Sequence, residues 1–460
     1  MSIDTTMRLA KPRRRLRRIF AFLLAGALLA ALSVGLLLIF GREPPSIEGD
    51  LVGAGVQLPS PVRSLVPTVN FSQAQPWPAG KQPSAPDGFH VTAYASGLDH
   101  PRWLYVLPNG DVLVAEASTV PRRDRSIAQA VQIWLQRNAG SIKDSANRIT
   151  LLRNISKAGT ADQRFVFASG LNQPFGMLLL NGNFYVANTD GVWRFPYRDG
   201  DTHLEGSGEK ILDLPAGGYN NHWTRNLIAN RAGTKLYVTV GSGSNVGENG
   251  IDNEFHRANI LEFNPDGSGL RVFASGLRNP NGLAFAPGTN TLWTVVNERD
   301  MLGNDLVPDY LTSVRDGGFY GWPYSYWGKN IDERVKPPRP DLVAAAIAPD
   351  YALGSHVAAL GLTFYAGDAF PQHFRGGAFI GEHGSWNRRP FSGYKVVFVP
   401  FHEGRPNGKP QDFVTGFMPA DQPGVAYGRP VGVAVDSTGA LLIADDVGNT
   451  VWRVAAEAGN

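Results

Sequence analysis

The chain has 460 residues, 43% of them hydrophobic and 18% charged, with 53 Gly, 33 Pro and no Cys. This composition excludes a disordered chain, and the lack of Cys excludes disulfides, thiolate metal sites and thiol nucleophiles. The formal charge of +3 hides an asymmetry: residues 1–42 carry eight basic residues (Arg8, Lys11, Arg13, Arg14, Arg15, Arg17, Arg18, Arg42) against Asp4, a net +7, which leaves −4 for the remainder. An acidic body argues against nucleic acid as a partner.

Residues 8–18, RLAKPRRRLRR, are basic, and residues 19–40, IFAFLLAGALLAALSVGLLLIF, carry no charge. A helix rising ~1.5 Å per residue over that run spans a hydrocarbon core of ~30 Å. The run is longer than the apolar region of a signal peptide and lacks an A-x-A site after it, so it reads as an uncleaved transmembrane anchor over 1–42. The basic flank stays cytoplasmic, which in a bacterium makes this an inner-membrane anchor with a periplasmic body. Residues 43–86 are rich in Pro, Ser and Gly and read as a semi-extended tether. The folded domain is predicted over 87–460.

Within that domain one phrase recurs: ASGLDHPRWLYVLPNGDVLVAEAS (95–118), ASGLNQPFGMLLLNGNFYVANTDGVWRFPY (168–197) and ASGLRNPNGLAFAPGTNTLWTVVNE (274–298). GRPVGVAVDSTGALLIADDVGNTVWRV (428–454) is a fourth copy, and 222–243 and 358–388 are weaker ones. Each copy pairs two apolar strands across a turn. Six copies at blade-like spacing predict an all-β, six-bladed β-propeller, with a β-sandwich as the alternative. The insertion at 121–147 has a helical pattern through its middle. Loops on one propeller face bring residues distant in sequence to one channel.

Polar clusters follow the strands: His222 with Asn226, LRNPNG (Arg278, Asn279, Asn281), NERDMLGNDLVPD (297–309), GEHGSWNRR (Glu382, His383, Trp386, Asn387, Arg388) and Arg429 in YGRP. Arginines and histidines from separate blades suit one anionic ligand. The acid- and carbonyl-rich 297–309 loop suits a hard cation such as Ca²⁺, without the spacing of an EF-hand. A lone turn His is by itself more often structural than catalytic. GSGSNVG (241–247) reads as a turn, and His203 and His256 as loop positions. No nucleophile elbow, P-loop or dinucleotide fingerprint is present.

Taken in order, NNHWTRNL, LRNPNGLAF, NERDMLGNDLVPDYLT, GEHGSWNRR and YGRPVGVAVDSTGALLIADD resemble the PQQ-dependent glucose/sorbosone dehydrogenase family, and most closely its membrane-bound L-sorbosone dehydrogenase branch. The likeness runs from about residue 88 to 454. It implies a six-bladed propeller enzyme with PQQ and Ca²⁺ as cofactors. His222 falls on the family's catalytic base, and Arg278 is implied to polarise the reactive quinone carbonyl together with Ca²⁺. Arg278 and Asn279 fall on a cofactor-contacting pair, Arg429 on a cofactor-carboxylate arginine, and His383 where soluble members place a lysine, with Trp386 and Asn387 nearby. Glu298, Arg299 and Asp300 match the segment whose backbone carbonyls hold the metal. Asn221 replaces an orienting acid and Val431 a second arginine. The implied reaction is oxidation of an aldose or sorbosone-like aldehyde to lactone or acid. Electrons would pass to a membrane quinone or cytochrome. A Ca²⁺-dependent sugar lactonase and a non-catalytic, membrane-tethered binding propeller are the competing expectations.

Overall fold

The structure, a computed structural model, describes residues 51–62, 64–120 and 127–457, together with Ser46 and eight positions between Ile19 and Leu32. The basic flank and most of the expected anchor lie outside the described residues. Among the described residues no helix is long and apolar enough to cross a membrane, so the predicted spanning helix is not supported. The described positions of that run are helical. They expose Ile19, Phe20, Phe22, Leu23 and Leu24.

The body is the six-bladed propeller that the repeats predict. Its inner strands are Pro101–Val106, Gly176–Leu180, Leu227–Ala229, Asn279–Phe285, Ala359–Phe364 and Pro430–Val435. Each packs on the next, and the sixth packs on the first, which closes the ring. Blades 1 and 2 are antiparallel four-stranded sheets over Pro101–Ala168 and Gly176–Asp213, and blade 5 is built in the same way from strands between Ala359 and Val414. Blade 3 adds a parallel strand, Gly318–Phe319, and blade 4 adds Val52–Gly53. Blade 6 takes its outer strand from the other end of the domain. Phe89–Ser96 pairs antiparallel with Thr450–Ala456, so neither end of the ring leaves an open edge.

Each sequence repeat supplies the two innermost strands of one blade. The ASGL phrase marks the crossing from the outer strand of one blade to the inner strand of the next. The inner strands approach so closely that a Cβ on Gly361 would lie 2.2 Å from the Val431 carbonyl oxygen, which explains a glycine inside a strand. Apolar faces of neighbouring blades bury one another. At the closing interface Phe89 makes edge-on contacts with Phe370, Phe374 and Phe413 at 4.8–5.5 Å.

The Pro-rich stretch expected as a tether does not hang free where it is described. Val52–Gly53 joins the edge of blade 4, Gln73–Ala74 pairs with Val425–Ala426, and Ser84 bridges Thr415. Between these points the Val62 and Asn70 amides donate to the Leu302 and Trp386 carbonyls. A chain with so many prolines makes no ladder of its own, and its remaining N–H groups find loop carbonyls instead. The result is a strap across the loops of blades 4, 5 and 6.

Candidate active site

Inner strands start, and second strands end, on the same face of the propeller. In blades 1, 3, 4 and 5 the loops between second and third strands on that face are long, and they hold much of the chemistry. The 121–147 insertion is one of them, with a helix at Ile127–Asn138. His222, Arg278 and Arg429 precede inner strands, whereas Glu298–Asp300 and His383–Asn387 follow second strands. All the predicted residues therefore reach one face.

His222 is half-buried. Its Nδ1 lies 2.8 Å from the Ser242 carbonyl oxygen and 3.0 Å from Ser242 Oγ. A carbonyl only accepts, so Nδ1 carries the proton and Nε2 is the bare lone pair. Nε2 has no hydrogen-bond partner among the described residues. Desolvation first, and then the positive charge of Arg278, hold the His222 pKa well below the ordinary imidazole value, so the ring is neutral. The backbone carbonyl thus orients the ring where Asn221 has replaced an acid. A Cβ on Gly241 would sit 2.5 Å from both His222 Cβ and Asn279 Oδ1, and only glycine lets these blades meet here.

Arg278 is buried and saturated. Its Nε donates to the Asn245 carbonyl (3.2 Å), Nη1 to the Glu298 carbonyl (2.6 Å), and Nη2 to Asn245 Oδ1 (3.0 Å) and Asp300 Oδ2 (2.8 Å). Asp300 Oδ1 accepts from Asn387 at 2.8 Å, so blades 4 and 5 are joined through one carboxylate. Direct polarisation of a ligand by Arg278 is not available to a guanidinium whose N–H groups are all taken. In this arrangement it acts through its field. The segment 241–247, read as a turn, supplies Ser242 and Asn245, the two residues that position His222 and Arg278.

The 298–300 loop is divided. The Arg299 side chain turns away to pair with buried Asp332 at 2.8 Å. The Glu298 carboxyl is buried with Oε2 unpartnered, and burial pushes its pKa up to about 8. Asp309 beneath it accepts from the Glu298 amide at 2.8 Å and is likewise raised to about 8 by burial. No cluster of three or more His, Asp or Glu side chains able to hold a metal occurs among the described residues, so a cation here would depend on carbonyl oxygens and on single carboxyls such as Glu298.

On the other side of the channel Asp446 is fully buried. It accepts from Arg102 and from His383 Nε2 at 2.9 Å, with His100 Nε2 at 3.4 Å. Desolvation lowers His383 to about 4 and His100 to about 3, and the facing His383 and His100 rings with the Arg102 guanidinium hold Asp446 well below the carboxylate range despite its burial. Arg429 donates to the His383 and Gly384 carbonyls (2.8 and 2.6 Å) and to Ser141 Oγ at 3.0 Å. Lys143 Nζ donates to Asn449 Oδ1 at 3.1 Å. Neither Arg429 nor Lys143 has a carboxylate partner among the described residues. Trp386 is partly exposed and stacks on Phe71 of the strap at 5.5 Å. Asn279 Oδ1 and Asn387 Oδ1 are buried without a partner. Asp446, Arg102, His100 and Lys143 were not singled out from sequence. The signal for Asp446, Arg102 and His100 was their position at the ends of repeat strands, and Lys143 sits in the insertion.

Residues 185–385 match the Glucose / Sorbosone dehydrogenase family, and residues 342–457 match a TrAA12-like family. That first match spans somewhat less than half of the chain. The matched proteins include sugar dehydrogenases, the class that the order of the motifs implies. Over 107 residues it is 32% identical to the aldose sugar dehydrogenase YliI of Escherichia coli, a stretch covering 23% of this chain and 27% of that protein. The PQQ domain of a Coprinopsis cinerea pyranose dehydrogenase superposes with a TM-score of 0.65 at 20% identity, covering 83% of this chain and 98% of that one. A calcium structure of a Trichoderma reesei family AA12 enzyme gives 0.64 at 17% identity, covering 85% and 99%. At these identities the two superpositions establish the shared fold.

Proposed function

We propose that the protein is a PQQ- and Ca²⁺-dependent dehydrogenase that oxidises an aldose, or a sugar-derived aldehyde of the sorbosone kind, to a lactone or acid. One observation carries this reading. A neutral histidine, locked at Nδ1 and bare at Nε2, shares a propeller face with two cations, Arg429 and Lys143, that lack carboxylate partners. PQQ is a tricarboxylate, and those cations fit its charge. The orphaned carboxyl of Glu298 suits a nearby cation, and a structural neighbour is a calcium structure.

When bound, PQQ supplies a two-electron acceptor and Ca²⁺ a Lewis acid. The protein's own part is proton transfer and orientation. His222 Nε2 takes the proton of the anomeric hydroxyl, or of a hydrated aldehyde, as the adjacent carbon gives up hydride. The Ser242 carbonyl holds the resulting imidazolium by its Nδ1–H. The Arg278 field keeps the resting ring unprotonated. Because the His222 pKa is depressed, kcat/KM stays flat as pH falls from 8 past 6.5 and declines only in more acid solution. An acid limb centred at the ordinary histidine value in a pH–rate profile would contradict a desolvated His222.

The same reading anchors the protein in the inner membrane through residues 19–40, with the propeller in the periplasm and electrons passing to a membrane quinone or cytochrome. The basic flank at 8–18 and the exposed apolar side chains from Ile19 to Leu32 support it. The deciding experiment titrates the full chain, in detergent, with PQQ in the presence and absence of Ca²⁺. Dye reduction with an aldose and with an aldehyde follows. Ca²⁺-dependent PQQ binding with dye reduction is expected. Absence of PQQ binding under both conditions overturns the proposal.

A further inference from the structure

We propose that the propeller lies on the membrane surface through its active-site face, with the strap and the insertion helix against the lipid. This rests on the membrane-anchor part of the reading above and deepens it, and it does not depend on the cofactor. The first observation is where the chain joins the propeller. Ser46 is held on the active-site face: its amide donates to the Arg389 carbonyl at 3.1 Å, and its hydroxyl donates to Asp305. Both partners stand in loops that follow second strands, in blades 5 and 4. The uncharged run ends at Phe40, six residues before Ser46. Six residues reach at most ~20 Å even when fully extended. A compact domain of this length is roughly 50 Å across, so that link keeps the face bearing Ser46 near the lipid and leaves the opposite face out of reach.

The second observation is which side chains are exposed. The strap turns Val62, Leu65 and Val69 to solvent, with Leu65 80% exposed. The helix Ile127–Asn138 exposes Val131 and Trp134, three residues apart on one helical face, with Trp134 61% exposed. Met301 adds to them from the 297–309 loop. A groove of about 470 Å³ lined by Pro390, Phe391 and Met418 continues the apolar surface beside Arg389, where Ser46 is held. Among the described residues, the loops of the opposite face expose one large apolar side chain, Leu270.

Single apolar side chains scattered over a surface need no explanation, but their concentration on one face marks a contact surface. This face joins a Trp to aliphatic groups, the composition that settles at the boundary between lipid headgroups and acyl chains. The short link to the anchor selects lipid over a protein partner. The strap crosses blades 4, 5 and 6, and the helix belongs to blade 1. Neither belongs to the loops of blades 2 and 3, which leaves that side of the face for entry of an aqueous substrate.

The chain has no Cys, so a single introduced thiol carries a label at one known place. Full-length Leu65→Cys, Trp134→Cys and Asn290→Cys proteins are each labelled with a small fluorophore and reconstituted into phosphatidylcholine vesicles containing nitroxide-labelled lipid. Asn290 lies in the turn between the inner and second strands of blade 4, on the opposite face. All three side chains are exposed, so the core is undisturbed. Fluorescence falls about twofold at Leu65→Cys and Trp134→Cys, whose labels sit within ~10 Å of the acyl boundary, and is unchanged at Asn290→Cys. Flotation of the vesicles separates the two proposals. If the protein floats with them but no label is quenched, or all three are quenched alike, the docking falls and the anchor stands. If the protein does not float, the anchor falls and the docking with it. A label at Val69→Cys then tests what holds the face down. In the Leu65→Glu/Trp134→Glu background it should lose its quenching while the protein still floats. Quenching that persists there assigns the proximity to the tether alone and overturns the docking.

Discussion

His222→Asn lowers kcat by about 10²–10⁴-fold, the contribution of a positioned general base. The geometry makes the expectation specific. Nδ1 is engaged by the Ser242 carbonyl, so Nε2 is the one ring nitrogen able to take a proton. Asparagine keeps a polar group of similar reach to Ser242 but has no basic nitrogen at neutral pH. PQQ affinity, measured by titration, should therefore change little while turnover collapses. An unaltered kcat at saturating PQQ and Ca²⁺ would remove His222 from the mechanism. Ser242→Ala is the milder companion variant. It deletes the hydroxyl at 3.0 Å but leaves the carbonyl in place, so it should cost far less.

Asp446→Ala destabilises the fold by ~3–5 kcal/mol, the range for removing one partner of a buried ion pair. Asp446 is fully buried and, among the described residues, is the only carboxylate paired with the buried Arg102 guanidinium. Its removal leaves Arg102 uncompensated beneath Trp223, over whose ring it lies at 5.4 Å. The measurement is the midpoint of guanidinium unfolding. Replacing both partners, Arg102→Leu with Asp446→Leu, should recover much of the loss, because no unpaired charge then remains. A midpoint unmoved by Asp446→Ala would show that the pair contributes no net stability. The same single variant also frees His383, which Asp446 holds at 2.9 Å, so PQQ affinity should fall alongside stability.

Much of the architecture was legible in the chain because a propeller repeats a short-range pattern. Two apolar strands across a turn form a local unit, and six such units were countable. Site residues were legible where they sat in strings such as LRNPNG or GEHGSW, which are read without knowing what lies opposite. Arg299 was read there for its backbone carbonyl, and the string says nothing of its side chain. Its neighbours are at the site, but its side chain pairs with Asp332, thirty-three positions along the chain. Asp446 sat unnoticed in IADDVGN, because nothing in that string says which of the two acids meets a cation. In the fold Asp445 takes N–H donors from Trp77, Trp452, Gly448 and Arg429, and Asp446 takes Arg102 and His383.

By itself the sequence determined the number of blades, the strand–turn pairing within each, the insertion helix and the face on which polar loops gather. These follow from periodicity and local turn chemistry, where the interacting residues are close along the chain. Only the tertiary structure decided how those loops meet. It paired Asp446 with Arg102 across 344 positions, turned the Ser242 carbonyl onto His222, filled every donor of Arg278, and bound the Pro-rich stretch to the loops as a strap. Those contacts depend on closure of the ring. Closure brings together residues from different blades whose spacing carries no local signal.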